Sequence, residues 1–325
     1  MPLILRGGDR FVTHLGLQLP SFTFAGVPDA GMFERIAETA LAAEESGFDS
    51  FWVMDHYHQI AGVGPETDPM LEAYTLLAGV GARTSRISVG AMVTGVVYRN
   101  PAFLAKVVTT LDVVTAGRAI LGIGAAWNQG EAEAYGYRWP PTRERMERLE
   151  DALRICRAMF TQERSTVEGT HHHVRGALNV PRPLRPGGPP IMIGGGGERR
   201  TLRLVARYAD MWNGFGDVPI LRHKLEVLEG HCRDAGRDPG EIVKTRLGTL
   251  LVAPTMDEAK RRVAGLGMPE ERQRMVLTWG DPSTVAEGAR ELLDAGMDGL
   301  LFNMPVGSTP EDVALAGRAL RDGLK

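Results

Sequence analysis

The pair best suited to proton transfer in this chain is Asp55-His56, in the run SFWVMDH at 50–56. An imidazole titrates near neutrality and can act as general acid or base, and an adjacent carboxylate can orient it. The same two residues also have a plainer use, as a helix-capping aspartate beside a solvent-facing histidine. A second feature is the run Gly194, Gly195, Gly196 and Gly197, followed by Glu198, Arg199 and Arg200 and a helical stretch. Glycines ahead of a helix N-terminus expose backbone N–H groups that suit an anion such as a phosphate, although a flexible turn would use the same residues. Small residues recur in Gly90-Ala91-Met92-Val93-Thr94-Gly95, where a flat ligand can approach the backbone and Thr94 offers a hydroxyl. Close packing selects such residues equally well. The run Gly122-Ile123-Gly124-Ala125-Ala126-Trp127-Asn128 opens like a dinucleotide fingerprint, but Trp127 stands where the last Gly or Ala belongs. Trp127 and Asn128 offer a stacking surface and an amide, or Trp127 belongs to the core.

Other chemistries lack support. His171, His172 and His173 are adjacent, so on a strand they alternate faces and do not converge on one ion, and no acidic or cysteine partner lies at metal spacing. No HExxH, GxSxG, paired CxxC or GxxxxGK[ST] pattern occurs. The formal charge is −3 and only five residues are Lys, which disfavours a partner held through phosphate neutralisation such as a nucleic acid. Cys156 and Cys232 are far apart and no apolar run approaches the ~20 residues of a bilayer span. Met1–Arg10 carries no apolar signal core, so a reduced, cytoplasmic protein without a membrane partner is expected.

Elements that would carry these residues alternate along the chain. Apolar, strand-like runs fall at His14–Pro20, Ser50–His56, Ile87–Thr94, Ala119–Ala125, Ile191–Gly194, Asp210–Gly214, Ile242–Val252 and Gly299–Met304. Helical spacing separates them, with Gly47 and Gly117 as stops and Pro101 as a start. The alternation breaks at 161–190, where Gly169 and five prolines between 181 and 190 predict an inserted hairpin and a stiff return. Continuous apolar strands belong to parallel sheets buried on both faces. Eight such units predict a (β/α)8 TIM barrel spanning 1–325 as one domain, in preference to an open doubly wound sheet. In a barrel the reactive groups lie on the loops after the strands, where all four runs above fall.

Taken together, FWVMDH (51–56), VGAMVTGVVYRNPAFLAK (89–106), TLDVVTAGRAILGIGAAWNQGEAEAYG (110–136), PRPLRPGGPPIMIGGGGERRTLRLVARYADMWN (181–213) and GMDGLLFNMP (296–305) resemble the bacterial luciferase-like superfamily. Within it the chain is similar to the F420-dependent oxidoreductases, from about Thr13 to Met304. The resemblance implies a TIM barrel, a homodimer, and a flavin or deazaflavin ring lying across the barrel mouth above a small-molecule substrate. It also implies a non-prolyl cis peptide in the third strand, joining Ala91 and Met92 and pressing on the ring. Asp55 and Thr94 would contact the cofactor, Asn128 would add a polar contact, and Gly194–Gly197 would receive its phosphate. His56 falls on the position that transfers protons. The F420-dependent sugar-phosphate dehydrogenases place a glutamate after the fourth strand, where this chain has Trp127, and their aromatic residue after the histidine is absent. The expectation is hydride transfer between F420 and an unknown organic molecule. The alternatives are a reduced-FMN monooxygenase and a flavin-binding protein without turnover.

Overall fold

The computed structural model describes residues 13–325; the Met1–Arg10 segment lies outside the described residues. The chain runs through β1 (His14–Leu19), α1 (Met32–Ser46), β2 (Ser50–Val53), α2 (Ala73–Arg83), β3 (Ser88–Ala91), the two-residue β4 (Thr94–Gly95), α3 (Pro101–Val114), β5 (Ala119–Gly124), α4 (Gln129–Ala134) and α5 (Thr142–Thr161). The inserted hairpin follows as β6 (Arg164–Glu168) and β7 (His173–Leu178). Then come β8 (Ile191–Gly194), α6 (Thr201–Tyr208), β9 (Met211–Gly214), α7 (Val218–Ala235), β10 (Val243–Val252), α8 (Met256–Gly265), α9 (Glu270–Val276), β11 (Leu277–Gly280), α10 (Pro282–Asp294), β12 (Gly299–Asn303) and α11 (Pro310–Gly323).

Eight parallel strands close a barrel in the order β1-β2-β3-β5-β8-β9-β10-β12, with β12 returning to β1. Alternation along each strand produces two layers. Trp52, Ile120, Met192, Met211 and Leu301 come from five different strands and fill the barrel interior together with Met92. Their sequence neighbours, such as Phe51, Leu121, Ile193, Trp212, Leu300 and Phe302, pack outward against the helices. Burying each such large side chain contributes about 1.5–3 kcal/mol, which is what selects the closed form with both sheet faces covered. The helix signals act as expected: Gly47 ends α1 in the left-handed region at φ 103°, and Asn100 caps α3 ahead of Pro101.

Two departures from the sequence expectation bear on function. The third strand is not continuous from Ile87 to Thr94: pairing with β5 is interrupted after β3 and resumes at Thr94, which faces Ile123. The non-prolyl cis peptide lies in this break between Met92 and Val93, not between Ala91 and Met92. Ala91 still belongs to the ladder and Met92 N–H still donates to the Val53 carbonyl at 2.8 Å, so the irregular segment begins one residue later than expected. The second departure is an extra pair of elements, α9 and β11, after α8. β11 pairs in parallel with the far half of β10, outside the closed barrel. Its four residues, LTWG, form no continuous apolar run, so nothing in the pattern distinguishes them from a loop.

No helix among the described residues is long and apolar enough to cross a membrane. The three adjacent histidines sit where the hairpin returns to α5. Asp151 accepts the backbone N–H groups of Thr170, His171 and His172, while the His171 ring meets Glu147 at 2.8 Å and His172 meets Arg148 at 3.2 Å.

Candidate active site

His56 leaves the C-terminal end of β2 with its ring at the mouth of the barrel and 13% of the side chain exposed. Its Nδ1 lies 2.8 Å from Oε2 of Glu131, a residue of α4 with no exposed side-chain surface. The same oxygen accepts the Tyr98 hydroxyl at 2.6 Å, and Oε1 accepts the backbone N–H of Tyr57 at 2.6 Å and of His58 at 3.3 Å. Burial alone would raise the Glu131 pKa; the hydrogen bonds from His56, Tyr98 and Tyr57 outweigh it and hold the carboxyl at about 2. An ionised, fully bonded carboxylate opposite Nδ1 keeps a proton on that nitrogen and fixes the ring plane. Nε2 makes no hydrogen bond among the described residues and is the atom left for a substrate.

The sequence reading missed Glu131. The sugar-phosphate dehydrogenases of the resemblance have a glutamate where this chain has Trp127, whereas here the carboxylate arrives four residues later, on a six-residue helix. Asn128 explains the placement: its side chain accepts the N–H of Glu131 at 3.4 Å and caps α4. The capping pattern was legible in Asn128-Gln129-Gly130-Glu131; the partner 75 residues away was not.

Asp55 is buried and turned away from His56. Its Oδ2 accepts Arg99 Nη1 at 2.7 Å and the Gly95 N–H at 3.2 Å, and Arg99 continues to Glu72 at 2.7 Å. Burial raises the Asp55 pKa and Arg99 opposes that shift. The pair clamps the end of β2 to the segment following the β3 break. Thr94 is likewise fully buried, with its hydroxyl 2.6 Å from that of Tyr74. Gln18, from β1, donates to the Met92 carbonyl at 3.2 Å. Ala91 and Met92 are both buried, so Val93, half-buried, is the residue at the irregular turn that approaches the surface.

Packing at that turn explains part of the glycine pattern. A Cβ on Gly124 or on Gly194 would lie 2.8 Å from a Val93 methyl group, and one on Gly122 would lie 2.1 Å from the Ala91 carbonyl oxygen. These three glycines therefore make room for the distorted third strand. Gly195 and Gly196 are different, whereas a Cβ on Gly197 would lie 2.8 Å from Thr201 Oγ1. Gly195 is in the left-handed region at φ 118°, and a Cβ on Gly196 would meet nothing nearer than Lys224 Cε at 3.7 Å. Helix α6 begins at Thr201, so Arg199 and Arg200 remain on the loop, exposed and without a carboxylate partner among the described residues. Lys224, from α7, reaches the loop and pairs with Glu198, which also takes His223 at 3.3 Å; these contacts draw Glu198 below the usual carboxylate range. His231 donates to the Glu198 carbonyl at 2.7 Å and anchors the turn. Unblocked backbone, an ammonium group and exposed guanidinium groups form a donor set that fits a phosphate-bearing cofactor.

An aromatic wall completes the mouth. Trp127 makes an edge contact with His56 at 5.5 Å between ring centroids, while Tyr57 packs against Tyr135, Tyr98 and Tyr137 at 4.5, 4.9 and 6.0 Å. The structure thus brings His56, Trp127 and Glu131 together. Asp55 and Thr94 lie behind the same wall with their polar groups occupied internally, and Asn128 serves as a helix cap.

Comparison with known proteins agrees with this architecture. The family model described as luciferase-like monooxygenase matches residues 13–314. An F420-dependent glucose-6-phosphate dehydrogenase from Kineococcus radiotolerans is 31% identical over 303 residues, covering 83% of this chain and 87% of that protein. A phthiodiolone/phenolphthiodiolone dimycocerosates ketoreductase from Mycobacterium tuberculosis is 30% identical over 283 residues, covering 76% and 72%. Among solved structures, the coenzyme F420-dependent tetrahydromethanopterin reductase of Methanopyrus kandleri superposes with a TM-score of 0.78 at 19% identity, covering 96% and 99% of the two chains. An EDTA monooxygenase from Chelativorans gives 0.81 at 19%, covering 95% and 93%, so the fold is shared with both branches of the chemistry. A closed eight-stranded barrel, a family match over nearly the whole chain and curated relatives at 30–31% identity lead to one assignment: the chain belongs to the luciferase-like monooxygenase family of oxidoreductases.

Proposed function

We propose that this chain is an F420-dependent oxidoreductase that moves a hydride between the deazaflavin and a small organic substrate, with His56 moving the accompanying proton. The observation that carries the reading is the arrangement of His56: Nδ1 held by a buried, ionised Glu131 and Nε2 left without a partner at the barrel mouth. When bound, a deazaflavin supplies a carbon centre that gives or takes a hydride. The protein's part is to position and to handle protons. Gly195–Gly197 and Lys224 would hold the phosphate, and the unpaired Arg199, Arg200 and Arg203 beyond that loop suit an acidic tail continuing from a phosphodiester. The segment at Val93 would support the ring, while Nε2 of His56 gives a proton to a substrate oxygen or takes one from it.

The test is anaerobic mixing of the protein with reduced F420 and a panel of small carbonyl compounds, followed by the absorbance of oxidised deazaflavin. Turnover in the wild-type protein and its loss in His56→Ala, with F420 affinity retained, is the expected result. Oxygen consumption with reduced FMN and no reaction with F420 would move the chain to the monooxygenase branch. Binding of either cofactor with no reaction in wild type or variant would leave a flavin carrier.

A homodimer also fits this reading. Segment 179–184 lies along α3 through Asn179–Thr109 at 2.8 Å and Leu184–Asp112 at 2.9 Å, and that flank exposes Phe103, Val114, Val180 and Leu184. Such a patch favours burial against a second copy. Light scattering of wild type and Phe103→Glu checks it: a dimer and a monomer respectively are expected, and a monomeric wild type would remove the proposal.

A further inference from the structure

Trp127 stands out among the described tryptophans. Trp52 and Trp212 are fully buried, and Trp139 and Trp279 are half-buried, whereas Trp127 is 62% exposed. Exposure of one large ring is ordinary by itself. Three further observations set this ring apart. Its edge meets His56, whose Nε2 is the free atom of the site. The residue before it, Ala126, is at φ 61°, in the left-handed region that a side chain seldom adopts, and the backbone accepts that conformation in the turn that presents Trp127. The residue after it, Asn128, caps α4, so the turn is fixed on both sides between β5 and the helix that carries Glu131. A strained, anchored turn that holds an apolar ring against the proton-handling side chain is a preorganised platform.

Apart from Arg199, Arg200 and Arg203, which the reading above gives to the cofactor's acidic tail, Arg99 and Lys224 already have carboxylate partners. Arg99 is spent on Asp55 and Glu72, and Lys224 is on the glycine loop with Glu198. Arg272, on α9, has no ion-pair partner among the described residues, and its guanidinium lies over Gly62 in the β2–α2 loop. Among the described residues, the side chains in ring contact with His56 or next to it in sequence on the mouth side are Trp127 and Tyr57, with Tyr135 packed at a tilt beyond. A sugar phosphate would find an aromatic surface there and, among the described residues, no cation seated over Trp127 or Tyr57 for its anionic end.

We propose that Trp127 is the substrate platform and that the substrate is an uncharged carbonyl compound, or the matching secondary alcohol, bearing an apolar ring. This rests on the hydride-transfer reading above. In the reduction direction the hydride from reduced F420 forms a C–H bond at the carbonyl carbon. The C=O π pair moves to oxygen, the proton on His56 Nε2 passes to that oxygen, and the deazaflavin is left oxidised by two electrons. The apolar ring stacks on the exposed indole, which places the carbonyl beside Nε2.

The test labels the protein with 5-fluorotryptophan and assigns the Trp127 resonance from the Trp127→Phe variant. Acetophenone and glucose 6-phosphate are then titrated in the presence and absence of F420. A saturable shift of the Trp127 signal with acetophenone, and none with glucose 6-phosphate, is expected. In turnover assays Trp127→Ala should raise KM for acetophenone at least tenfold with a smaller change in kcat and unchanged F420 affinity, and Trp127→Phe should restore most of the loss. The proposal is overturned if acetophenone leaves the Trp127 signal unmoved under both conditions. It is equally overturned if glucose 6-phosphate moves the signal, or if F420 alone covers the ring and acetophenone then adds nothing. Because the resonance is read without turnover, failure of F420 to bind would sink the functional reading while leaving the platform separately testable.

Discussion

Replacing Glu131 by glutamine isolates the tautomer argument from the packing argument. The carboxylate receives four donors: Nδ1 of His56, the Tyr98 hydroxyl, and the N–H groups of Tyr57 and His58. Glu131→Ala orphans all four, and at about 1 kcal/mol or more each the cost is about 4 kcal/mol, a large share of the ~5–15 kcal/mol that holds a domain folded. That variant reports mainly on folding. Glutamine keeps the shape, and its carbonyl oxygen still accepts from Tyr57 and His58. Its NH2 group, however, takes the place of Oε2 and donates towards Nδ1, so that nitrogen must accept and the tautomer with its proton on Nδ1 is lost. General acid–base catalysis contributes about 10²–10⁴ in rate, and turnover in Glu131→Gln should fall by that order. Affinity for the cofactor should change by no more than about threefold, since both Glu131 oxygens are taken by protein donors and its side chain has no exposed surface. Stopped-flow turnover across pH 5–9 beside equilibrium fluorescence titration measures both. Turnover equal to wild type across that range would refute the role assigned to the His56–Glu131 pair.

Three further outcomes follow from named contacts. His14 lies inside the base of the barrel, with its Nε2 2.9 Å from Ser50 Oγ; burial lowers its pKa to about 4 despite Asp49, with Arg321 adding to the fall. A histidine neutral when folded and protonated when unfolded contributes fully above pH 6.5, and stability is lost as the pH falls from 6.5 towards 4. That loss amounts to about 3 kcal/mol, so urea midpoints should drop more steeply over this window in wild type than in His14→Asn; parallel slopes would contradict it. Gly196→Asp should fold normally, because its Cβ position is open, yet weaken cofactor binding severely by placing a second carboxylate beside Lys224. Glu198→Gln should strengthen binding and Lys224→Met weaken it, and unchanged titration curves for all three would remove the loop from the cofactor site. Gly122→Ala sets a methyl group 2.1 Å from the Ala91 carbonyl and should cost about 1–3 kcal/mol by thermal melt, with an unchanged midpoint as the contrary result.

What the sequence made legible depended on how local the signal was. The eight barrel strands are continuous apolar runs because both sheet faces are covered, so each could be read alone. The strand–helix order and the place of His56 at a strand end followed from that. The glycine loop was visible too, but not that Gly194 is filled by Val93 while Gly196 stays open; that distinction depends on a neighbouring strand. Glu131 escaped because its function comes from reaching across β3 to β2, and α4 is too short to show a periodicity. The resemblance places Asp55 at the cofactor; the fold adds that its carboxylate is buried and paired with Arg99, 44 residues on, a contact no local pattern announces. The cis peptide was placed by resemblance one residue early, since the break in the ladder is set by where β5 pairing resumes.

The most direct test of the central claim is a parallel fluorescence titration of cofactor-free protein with F420 and with FMN at one salt concentration. The exposed, unpaired arginines beyond the glycine loop predict that F420 binds at micromolar concentration or below and at least about tenfold more tightly than FMN, with a preference that shrinks as salt rises. FMN binding more tightly than F420 would contradict the account and place the chain among the flavin monooxygenases.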